Sequence, residues 1–452
     1  MYEVIILAAG EGKRMNSSRP KVLQSVGGRP MLTHLFEAVS RLEPRGIHVV
    51  VGVGAEQVMS ALDGMDCQFV EQAERLGTGH AAAQALPAID PGSRVLILPG
   101  DMPLIRTETL RELLASPADL ALLSFIADDP TGYGRILRDD GGRVLAIREH
   151  RDASEAERSV REVNSGVMCA GAAYFSSWLE RVSADNAQGE YYLTDCIALA
   201  GADGRTVEAI VAAEADELLG ANDRAQLAEL EGVYQVRARQ NLFDQGATLL
   251  DPSSVQIRGR VKVGRDVCID AGVVLSGDVE LGDEVEIGVG CVLSDVHLAS
   301  GTQVKPYSVL ENVRSEGTCT IGPFARLRPG TVLGEAVKIG NFVEVKNAVF
   351  HAGAKASHLS YIGDAEVGSE ANIGAGTITC NYDGANKHKT VIGTGAFIGS
   401  NTALVAPVSV GEGGTVGAGS VISQDAPAGQ LTVARARQRS IAGWTRPVQK
   451  EK

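Results

Sequence analysis

Aliphatic residues recur at nearly every sixth position from Val255 to Ile422. One run of these positions is continuous: Ile257, Val263, Ile269, Leu275, Leu281, Ile287 and Leu293. A companion run lies two residues before each of them, from Val255 to Cys291. A period of six differs from the periods of an α-helix and of an amphipathic strand, which are about 3.6 and 2. It is typical of a β-helix in which each six-residue unit forms one short face and three faces close a coil.

The repeat therefore predicts a β-helix whose inward positions hold small aliphatic side chains, with Gly, Asp or Asn at the corners. It slips by one residue near Ser294 and again near Glu316. Two larger departures are predicted to interrupt the coil. The inward pattern blurs over residues 350–361, and an insertion lies within residues 379–392. Because loops that leave a rigid scaffold commonly carry function, both departures are candidate sites.

The first half of the chain has a different pattern, in which short apolar runs alternate with helical spacing up to about residue 220. This alternation predicts a mostly parallel sheet covered by helices, with ligands at the carboxyl ends of the strands. The predicted strands are residues 4–7, 47–53, 67–70, 95–98 and 120–125, and the predicted helices are residues 30–40, 79–85 and 107–114. Residues 222–245 have the spacing of a connecting helix. We predict an N-terminal domain over 1–223, a helical linker over 224–246 and a β-helix domain over 247–452.

The bulk composition narrows the class of protein. Of the 452 residues, 44% are hydrophobic and only 4% are aromatic, which suits cores filled by small aliphatic side chains. A formal net charge of −14 argues against nucleic acid or an anionic membrane as a main partner, and no apolar run is long enough to span a bilayer. The seven cysteines are scattered without a CxxC pair, which is typical of reduced thiols. We expect a soluble cytoplasmic protein.

Candidate phosphate-binding residues follow the first predicted strand. Gly10 and Gly12 would let backbone N–H groups approach a phosphate, and three cations, Lys13, Arg14 and Lys21, lie close behind. A GxG after a strand can also be only a tight turn. The three cations favour a polyphosphate, although the spacing is not that of a Walker A motif.

Asp101 follows the strand predicted over residues 95–98. An Asp at the carboxyl end of a central strand can hold a divalent metal, because Mg²⁺ prefers hard oxygen ligands and keeps substrate phosphates as co-ligands. It can equally be a capping residue in a turn. Its position alone favours neither interpretation.

Several motifs together resemble those of sugar-1-phosphate nucleotidylyltransferases. They are Leu-Ala-Ala-Gly-Glu-Gly-Lys-Arg-Met at 7–15 with Pro20-Lys21, Gln-Ala-Glu-Arg-Leu-Gly-Thr-Gly-His-Ala at 72–81, Pro-Thr-Gly-Tyr-Gly-Arg-Ile at 130–136 and Gly-Glu-Tyr-Tyr-Leu-Thr-Asp at 189–195. Joined to a hexad domain, they resemble the bacterial bifunctional N-acetylglucosamine-1-phosphate uridyltransferase/glucosamine-1-phosphate N-acetyltransferase family over essentially the whole chain. The resemblance implies an α/β Rossmann-like nucleotidyltransferase domain and a left-handed parallel β-helix, joined by a helix.

The same resemblance implies roles for residues of the N-terminal domain. Arg14 and Lys21 would be catalytic, with Arg14 facing the leaving pyrophosphate, and Asp101 and Asn222 would bind Mg²⁺. The residues implied to bind UTP or UDP-N-acetylglucosamine are Leu7, Ala8, Ala9, Gly10, Lys21, Gln72, Gly77, Thr78, Gly100, Asp101, Gly134, Glu149, Asn164 and Asn222. Pro99 departs from the family, in which this position is often Tyr. The implied reaction is in-line attack by the 1-phosphate oxygen of the sugar on the α-phosphorus of UTP, which needs positioning and charge neutralisation but no covalent intermediate.

In the second half, His358 lies in the stretch where the repeat blurs. A lone His is more often structural, but this stretch offers it no obvious inward position, and an ordinary pKa of about 6.5 suits a base that takes a proton from an amine. The resemblance implies that His358 is the base of an acetyl transfer and that Glu344 orients it. It implies a glucosamine-1-phosphate site of Arg328, Lys346, Tyr361 and Asn372, and an acetyl-CoA site of Ala375, Asn381, Tyr382, Ser400, Ala418 and Arg435. Arg328 and Lys346 can also be read as solvated surface charges.

Two other functions are compatible with parts of the sequence. The chain could be a single-activity nucleotidylyltransferase with a regulatory or oligomerising β-helix, but a passive coil needs neither His358 nor the pair Asn381 and Tyr382. The β-helix could be only a binding module, but its mixed outward charges differ from the flat ranks of one residue type that such a surface presents. His351 and His388 lack the ligand spacing of a zinc site.

The favoured interpretation is one enzyme with two active sites that makes UDP-N-acetylglucosamine. Mg²⁺ would be its cofactor, UTP and acetyl-CoA its co-substrates, and amino sugar phosphates its other substrates. The resemblance also implies a homotrimer that assembles through the β-helix.

Overall fold

The computed structural model describes residues 1–449 and divides into two compact units, Met1–Arg237 and the chain from Ala238 onward. The helix predicted over residues 222–245 is present as Arg224–Asp244, and the division between the units falls within it. Over residues 1–449, no helix is both long and apolar enough to cross a membrane.

The first unit is built on a nine-stranded sheet. Its strands, β1 to β9 in chain order, are Tyr2–Leu7, Ile47–Val51, Gln68–Glu71, Arg94–Pro99, Leu120–Ile126, Arg135–Arg138, Val144–Arg148, Glu162–Gly171 and Val207–Val211. The order across the sheet is β9-β5-β8-β4-β1-β2-β3, with β6 paired to β8 and β7 paired to β6. Strands β4, β1, β2 and β3 are parallel, as are β5 and β9, whereas β8 is antiparallel to β4 and β5. The prediction of a mostly parallel sheet is confirmed.

Helices connect these strands and cover both faces of the sheet. The α-helices, α1 to α8, are Met31–Ser40, Ala55–Ala61, Thr78–Ala85, Thr107–Ala115, Glu155–Arg158, Ala172–Leu179, Cys196–Ala202 and Arg224–Asp244. The 3₁₀ turns are Lys13–Met15, Lys21–Leu23, Leu86–Ala88, Leu193–Asp195, Ala215–Leu218 and Pro252–Ser254, and a two-stranded pair joins Ser25–Val26 to Arg29–Pro30. Alternate residues of β1 serve two cores, because Val4 and Ile6 pack on one face and Ile5 on the other.

The second unit is a parallel β-helix, as predicted. Gln256 pairs with Val274, 18 positions later, and Val274 pairs with Val292 after the same interval, which equals three six-residue faces. One column has eleven strands: Thr248–Leu249, Cys268–Ile269, Glu286–Ile287, Gln303–Val304, Thr320–Ile321, Lys338–Asn341, Lys355–His358, Asn372–Ile373, Phe397–Ile398, Thr415–Val416 and Leu431–Thr432. The other has thirteen: Gln256–Val263, Val274–Leu281, Val292–Leu298, Val309–Ser315, Arg326–Leu327, Thr331–Leu333, Glu344–Phe350, Tyr361–Val367, Ile378–Cys380, Thr390–Ile392, Ala403–Val405, Val408–Val410 and Val421–Ile422.

The interior of this unit is a single column of small aliphatic side chains. The slip predicted near Ser294 is present, because Val279 pairs with Val296 only 17 positions later. The register changes again between Leu310 and Val313, close to the second predicted slip. The interval there rises from 17 to 18 residues, so a corner that loses or gains one residue changes the length of single coils without opening the core.

The interruption predicted over residues 350–361 is wrong. Strand Lys355–His358 pairs in register with Lys338–Asn341, and Ala354 and Ala356 are fully buried in inward positions. The pattern blurs in the sequence because alanine replaces larger aliphatic residues there. The insertion is real: Ile378 pairs with Ala403, 25 positions later, and residues 381–389 form a loop outside the coil.

Candidate functional site

A cavity of about 790 Å³ opens in the first unit at the carboxyl ends of β1 and β4. The loops that follow these strands and the segment after β3 form part of its lining. Twelve residues of the predicted nucleotide and sugar site line it: Leu7, Ala9, Gly10, Lys21, Gln72, Gly77, Thr78, Asp101, Gly134, Glu149, Asn164 and Asn222.

Three other predicted residues lie outside this lining. Ala8 is buried behind it. The Gly100 N–H donates to the Leu7 carbonyl at 2.9 Å, and a Cβ at Gly100 would lie 2.9 Å from that same oxygen, so only glycine fits where β1 and β4 end. Arg14 is exposed on the turn Lys13–Met15. Its role toward pyrophosphate stays a prediction.

Lys21, Asp101 and Asn222 form an ion cluster in the cavity. The Lys21 ammonium donates to Asp101 Oδ2 at 2.6 Å and to Asn222 Oδ1 at 3.1 Å. The side chains of Lys21 and Asp101 are only 17% and 12% exposed. Two hard oxygens thus converge on one cation, which is the donor chemistry of a divalent metal site. Among residues 1–449, no group of three or more His, Cys, Asp or Glu side chains has metal-binding geometry, so substrate or water oxygens would complete such a site.

Hydrogen bonds hold the part of the lining that contains Gln72, Gly77 and Thr78. The buried Gln72 amide donates to the Gly77 carbonyl at 3.2 Å and lies 3.1 Å from His80 Nδ1. Thr78 Oγ1 accepts from the Leu193 N–H at 3.1 Å. Gly77 has φ 111°, and a Cβ there would lie 2.5 Å from the Tyr191 carbonyl oxygen, so the position requires glycine.

Another part of the lining consists of Glu149, Asn164 and Gly134. Glu149 accepts from Thr194 Oγ1 at 3.1 Å, and its burial raises its pKa. Asn164 precedes an irregularity in the pairing of β8, where its Oδ1 accepts from the Gly166 N–H at 3.0 Å. The sequence did not predict β8, because Asn164 and the residues after it interrupt its apolar run.

A second ion cluster at the cavity, which sequence reasoning missed, consists of Glu11, Lys13 and Arg75. The Glu11 carboxylate accepts from the Arg75 guanidinium and lies 3.3 Å from the Lys13 ammonium. The Arg75 hydrogen bond holds the pKa of Glu11 below its usual value. Glu11 lies in the motif at 7–15 and Arg75 in the motif at 72–81, but neither motif indicates that the two side chains form an ion pair.

In the second unit, His358 is exposed, and its ring Nδ1 lies 2.7 Å from Asn341 Oδ1 of the preceding coil. Because an amide oxygen only accepts, Nδ1 carries the proton and Nε2 is the basic nitrogen. The Glu344 carboxylate accepts from Arg328 Nη1 at 2.8 Å, and its orienting role toward His358 stays a prediction. The contact that the structure shows to the His358 ring comes from Asn341, which the sequence did not mark.

Three residues of the predicted acetyl-CoA site lie at the corner of the coil that Leu359 occupies, one in each of the next three coils. The Gly376 N–H donates to the Leu359 carbonyl at 3.0 Å. The Asn401 N–H donates to the Ala375 carbonyl and the Gly419 N–H to the Ser400 carbonyl, both at 2.8 Å. Ala375, Ser400 and Ala418 therefore occupy the same corner in successive coils, and Arg435 Nη1 donates to the Ala418 carbonyl at 2.5 Å.

The predicted sugar-phosphate residues lie on the faces that flank this corner. Tyr361 and Lys346 stand one coil apart on one face, since Glu344 pairs with Tyr361 and Lys346 with Gly363. Asn372 belongs to the next face, in the strand that follows Lys355–His358 in its column.

The inserted loop brings Lys387 next to Lys346. The pKa of Lys346 is lowered, chiefly by the Lys387 ammonium beside it and further by Arg328. The loop is held by Asp383, which accepts from the N–H groups of Ala385 and Asn386 at 2.8 and 2.7 Å. These bonds hold the pKa of Asp383 well below its usual range.

Asn381 and Tyr382, the two predicted acetyl-CoA residues at the start of the loop, differ in burial. Asn381 is buried, and its amide donates to the carboxylate of Asp364, which also accepts from Asn347 Nδ2 at 2.6 Å. Tyr382 is 61% exposed. Lys387 and Asp364 were not predicted, although Lys387 lies in the insertion that marked this region.

Comparison with known proteins places the chain among close relatives. Residues 4–162 match the model of the MobA-like NTP transferase domain. The chain is 56% identical to "Bifunctional protein GlmU" of Stutzerimonas stutzeri over 99% of both proteins. It is 56% identical to the protein of that name from Azotobacter vinelandii over 100% of this chain and 99% of the relative. The similarity therefore spans both units.

Proposed function

Because this chain belongs to the family of bifunctional proteins GlmU, we propose that it makes UDP-N-acetylglucosamine at two active sites, one in each unit. The β-helix transfers an acetyl group from acetyl-CoA to glucosamine-1-phosphate. The cavity of the first unit then transfers a uridylyl group from UTP to the product and releases pyrophosphate. One observation carries this proposal: each unit holds its own constellation, an oxygen–lysine cluster in a cavity of the first unit, and in the second an oriented His on one face of the coil with clustered cations on the next face.

In the uridylyl transfer, Asp101 and Asn222 would hold Mg²⁺, which when bound neutralises charge on the triphosphate. Lys21 lies within hydrogen-bond distance of the same oxygens and supplies a second positive charge to the phosphates. Gln72 and Thr78 bind the uracil, whereas Glu149 and Asn164 bind sugar hydroxyl groups. Because the attacking oxygen belongs to the substrate, the residues of this chain need only position the reactants and compensate their charge.

In the acetyl transfer, His358 Nε2 takes a proton from the sugar amine as the nitrogen attacks the thioester carbonyl carbon. The C–N bond forms, the C–S bond breaks, and the proton returns to the departing sulfur of coenzyme A. Asn341 fixes the ring in the tautomer that this step requires. Arg328, Lys346 and Lys387 bind the sugar phosphate, and Ala375, Ser400 and Ala418 give coenzyme A a corner without bulky side chains.

We also propose that the protein is a homotrimer formed through the β-helix. An aromatic ridge of Tyr307, Phe324 and Phe342 stacks along the corner that leads to Leu359, with ring centroids 5.4 and 5.2 Å apart. In the single chain, the exposed fractions are 53% for Tyr307, 47% for Phe324, 55% for Phe342 and 61% for Leu359. An apolar ridge next to His358 would be covered by a second copy, which supports shared acetyl-transfer sites.

A cytoplasmic location fits the same proposal. Seven cysteines are free thiols in the structure, which agrees with a reducing compartment. The proposed substrates, UTP and acetyl-CoA, are intracellular metabolites.

Two single variants test the two-site proposal directly. We expect His358→Ala to lose acetyl transfer by about a hundredfold or more while uridylyl transfer is unchanged, because only the first reaction uses this base. Asp101→Ala should do the reverse, by about a hundredfold or more, because charge on the triphosphate is no longer compensated. Both reactions are measured on each purified protein with its own substrates.

Matched controls separate these effects from misfolding. His351→Ala removes another exposed His of the coil, and Asp63→Ala removes an exposed Asp outside the cavity, so neither should change either rate. Loss of both activities in a folded His358 or Asp101 variant would contradict the assignment of one reaction to each unit.

A further inference from the structure

The ion cluster of Glu11, Lys13 and Arg75 has no task in the mechanism above, yet all three residues line the cavity. Glu11 lies between Gly10 and Gly12 of the glycine-rich loop. Arg75 lies between Gln72 and Gly77, within the segment proposed to bind uracil. Their ion pair therefore joins the phosphate side of the site to its base side. The side chains of Arg75 and Glu11 are 46% and 36% exposed, so a ligand can reach them.

The cations of the cavity are occupied in the ligand-free chain. Among the described lining residues, the Lys and Arg side chains are Lys13, Lys21 and Arg75. Lys21 is engaged with Asp101 and Asn222, while Lys13 and Arg75 share the Glu11 carboxylate. A carboxylate offers a guanidinium the same pair of acceptor oxygens as a phosphate does. Since exposed ion pairs contribute little free energy, a triphosphate can displace Glu11 at low cost.

We propose that Arg75 is a further substrate-binding residue, which contacts the phosphates of UTP, and that Glu11 is its counter-ion only in the free enzyme. The inference rests on the proposed uridylyl transfer and adds a contact to that site. Lys13, held by the same carboxylate, is released with Arg75. Binding of the nucleotide thus exchanges one internal anion for a phosphate.

This exchange differs from a structural salt bridge in the sign of its effects. If the pair only braced the loop, removal of either partner would weaken binding in the same direction. If Glu11 competes with the nucleotide, its removal should strengthen UTP binding, whereas removal of Arg75 should weaken it. A uridine ligand, which lacks phosphates, should be indifferent to both changes.

The test is calorimetric titration of the full chain with UTP and with uridine, in one buffer that contains Mg²⁺. We expect Arg75→Met to weaken UTP binding by about fivefold, as for the loss of a charge-assisted hydrogen bond on an exposed wall. Glu11→Gln should strengthen it by about twofold. Uridine affinity should stay within error in both variants, and Arg75→Lys should fall between Arg75→Met and the wild type.

The exposed pair Arg161 and Asp128 supplies matched controls outside the cavity. Arg161→Met and Asp128→Asn remove the same charges and should leave UTP binding unchanged. The inference is overturned if Arg75→Met keeps the wild-type ratio of UTP to uridine affinity, or if Glu11→Gln weakens UTP binding. A wild type that does not prefer UTP to uridine would instead overturn the proposed uridylyl transfer together with this inference.

Discussion

The two candidate sites compensate charge in different ways. In the first unit, each Lys and Arg of the described cavity lining is paired with a carboxylate: Lys21 with Asp101, and Lys13 and Arg75 with Glu11. In the second unit, Lys387 lies next to Lys346, and its charge lowers the pKa of Lys346. The first site holds its charge in exchangeable ion pairs. In the second site, the positive charges of Lys346 and Lys387 repel each other, and a bound phosphate would compensate both charges.

Their scaffolds differ as well. The first site consists of loops at the carboxyl ends of strands, and it is concave within one chain. The second consists of side chains on the outside of a continuous coil, where His358 is exposed and Tyr382 is 61% exposed. A site on an outer surface needs something else to exclude water. We therefore expect the first site to work in an isolated chain and the second to depend on assembly.

A change in the aromatic ridge should separate the two sites most strongly. Phe342→Asp places an unpaired charge in the proposed apolar contact, so we expect dissociation of the assembly and a fall in acetyl transfer of about a hundredfold, or about 2.7 kcal/mol. Uridylyl transfer should be retained. Sedimentation and the two activity assays measure these effects. Leu250→Asp, at a position that is 62% exposed, is the control; a monomeric wild type would contradict the expectation.

The interior of the coil gives the next largest expected effect. Ala356 lies between Ile339 and Ile373 in its column and is fully buried, so Ala356→Leu should overfill the coil and lower the free energy of unfolding by about 1–3 kcal/mol. Denaturant unfolding of the full chain measures this change. The outward Val349→Leu should stay within about 0.5 kcal/mol of the wild type. An equal loss in both would mean that the coil is not continuous at this point.

The smallest expected effect concerns the repulsion between Lys346 and Lys387. Lys387→Met should raise the Michaelis constant for glucosamine-1-phosphate about tenfold, because a cation next to the phosphate is lost. Lys389→Met, on the same loop but paired with Glu366, is the control and should change it little. If both variants behave alike, the loop as a whole, and not the Lys387 charge, supports binding.

The same variant should change a titration. Because the Lys387 charge lowers the pKa of Lys346, Lys387→Met should return that pKa toward its ordinary value of 10.5, as measured by NMR of labelled lysines. In the wild type, the folded chain binds fewer protons here than the unfolded chain. The repulsion therefore disfavours folding at pH values below the lowered pKa, and it disappears as the pH rises toward 10.5.

The sequence predicted the coil well because its period is a direct copy of its geometry. It failed over residues 350–361, since an inward alanine at 354 or 356 does not stand out in a hydrophobic pattern. It also did not reveal the contact between His358 and Asn341. Asn341 lies 17 positions before His358, and only the register of the coil shows that this separation is a single turn.

In the first unit, the motifs located most of the cavity wall but not its ion pairs. Glu11 and Arg75 are 64 residues apart, and no periodicity links a loop after β1 to a loop after β3. Lys387 was hidden for a similar reason, because a loop outside the repeat has no register from which its contacts can be inferred. Local pattern thus predicts elements, whereas charge pairing between elements requires the fold.

The regular interval of the coil has a consequence for how this protein can change in length. Around His358 and in the coils before it, each face repeats after 17 or 18 residues, so a deletion of a few residues between Asn341 and His358 would rotate the His off its face. A change in the length of the chain before these coils keeps this face only when it adds or removes whole turns or is taken up by a corner, as at residues 294–296. Longer insertions are confined to excursions such as residues 381–389. His358 therefore keeps its face of the coil when the chain before it gains or loses complete turns.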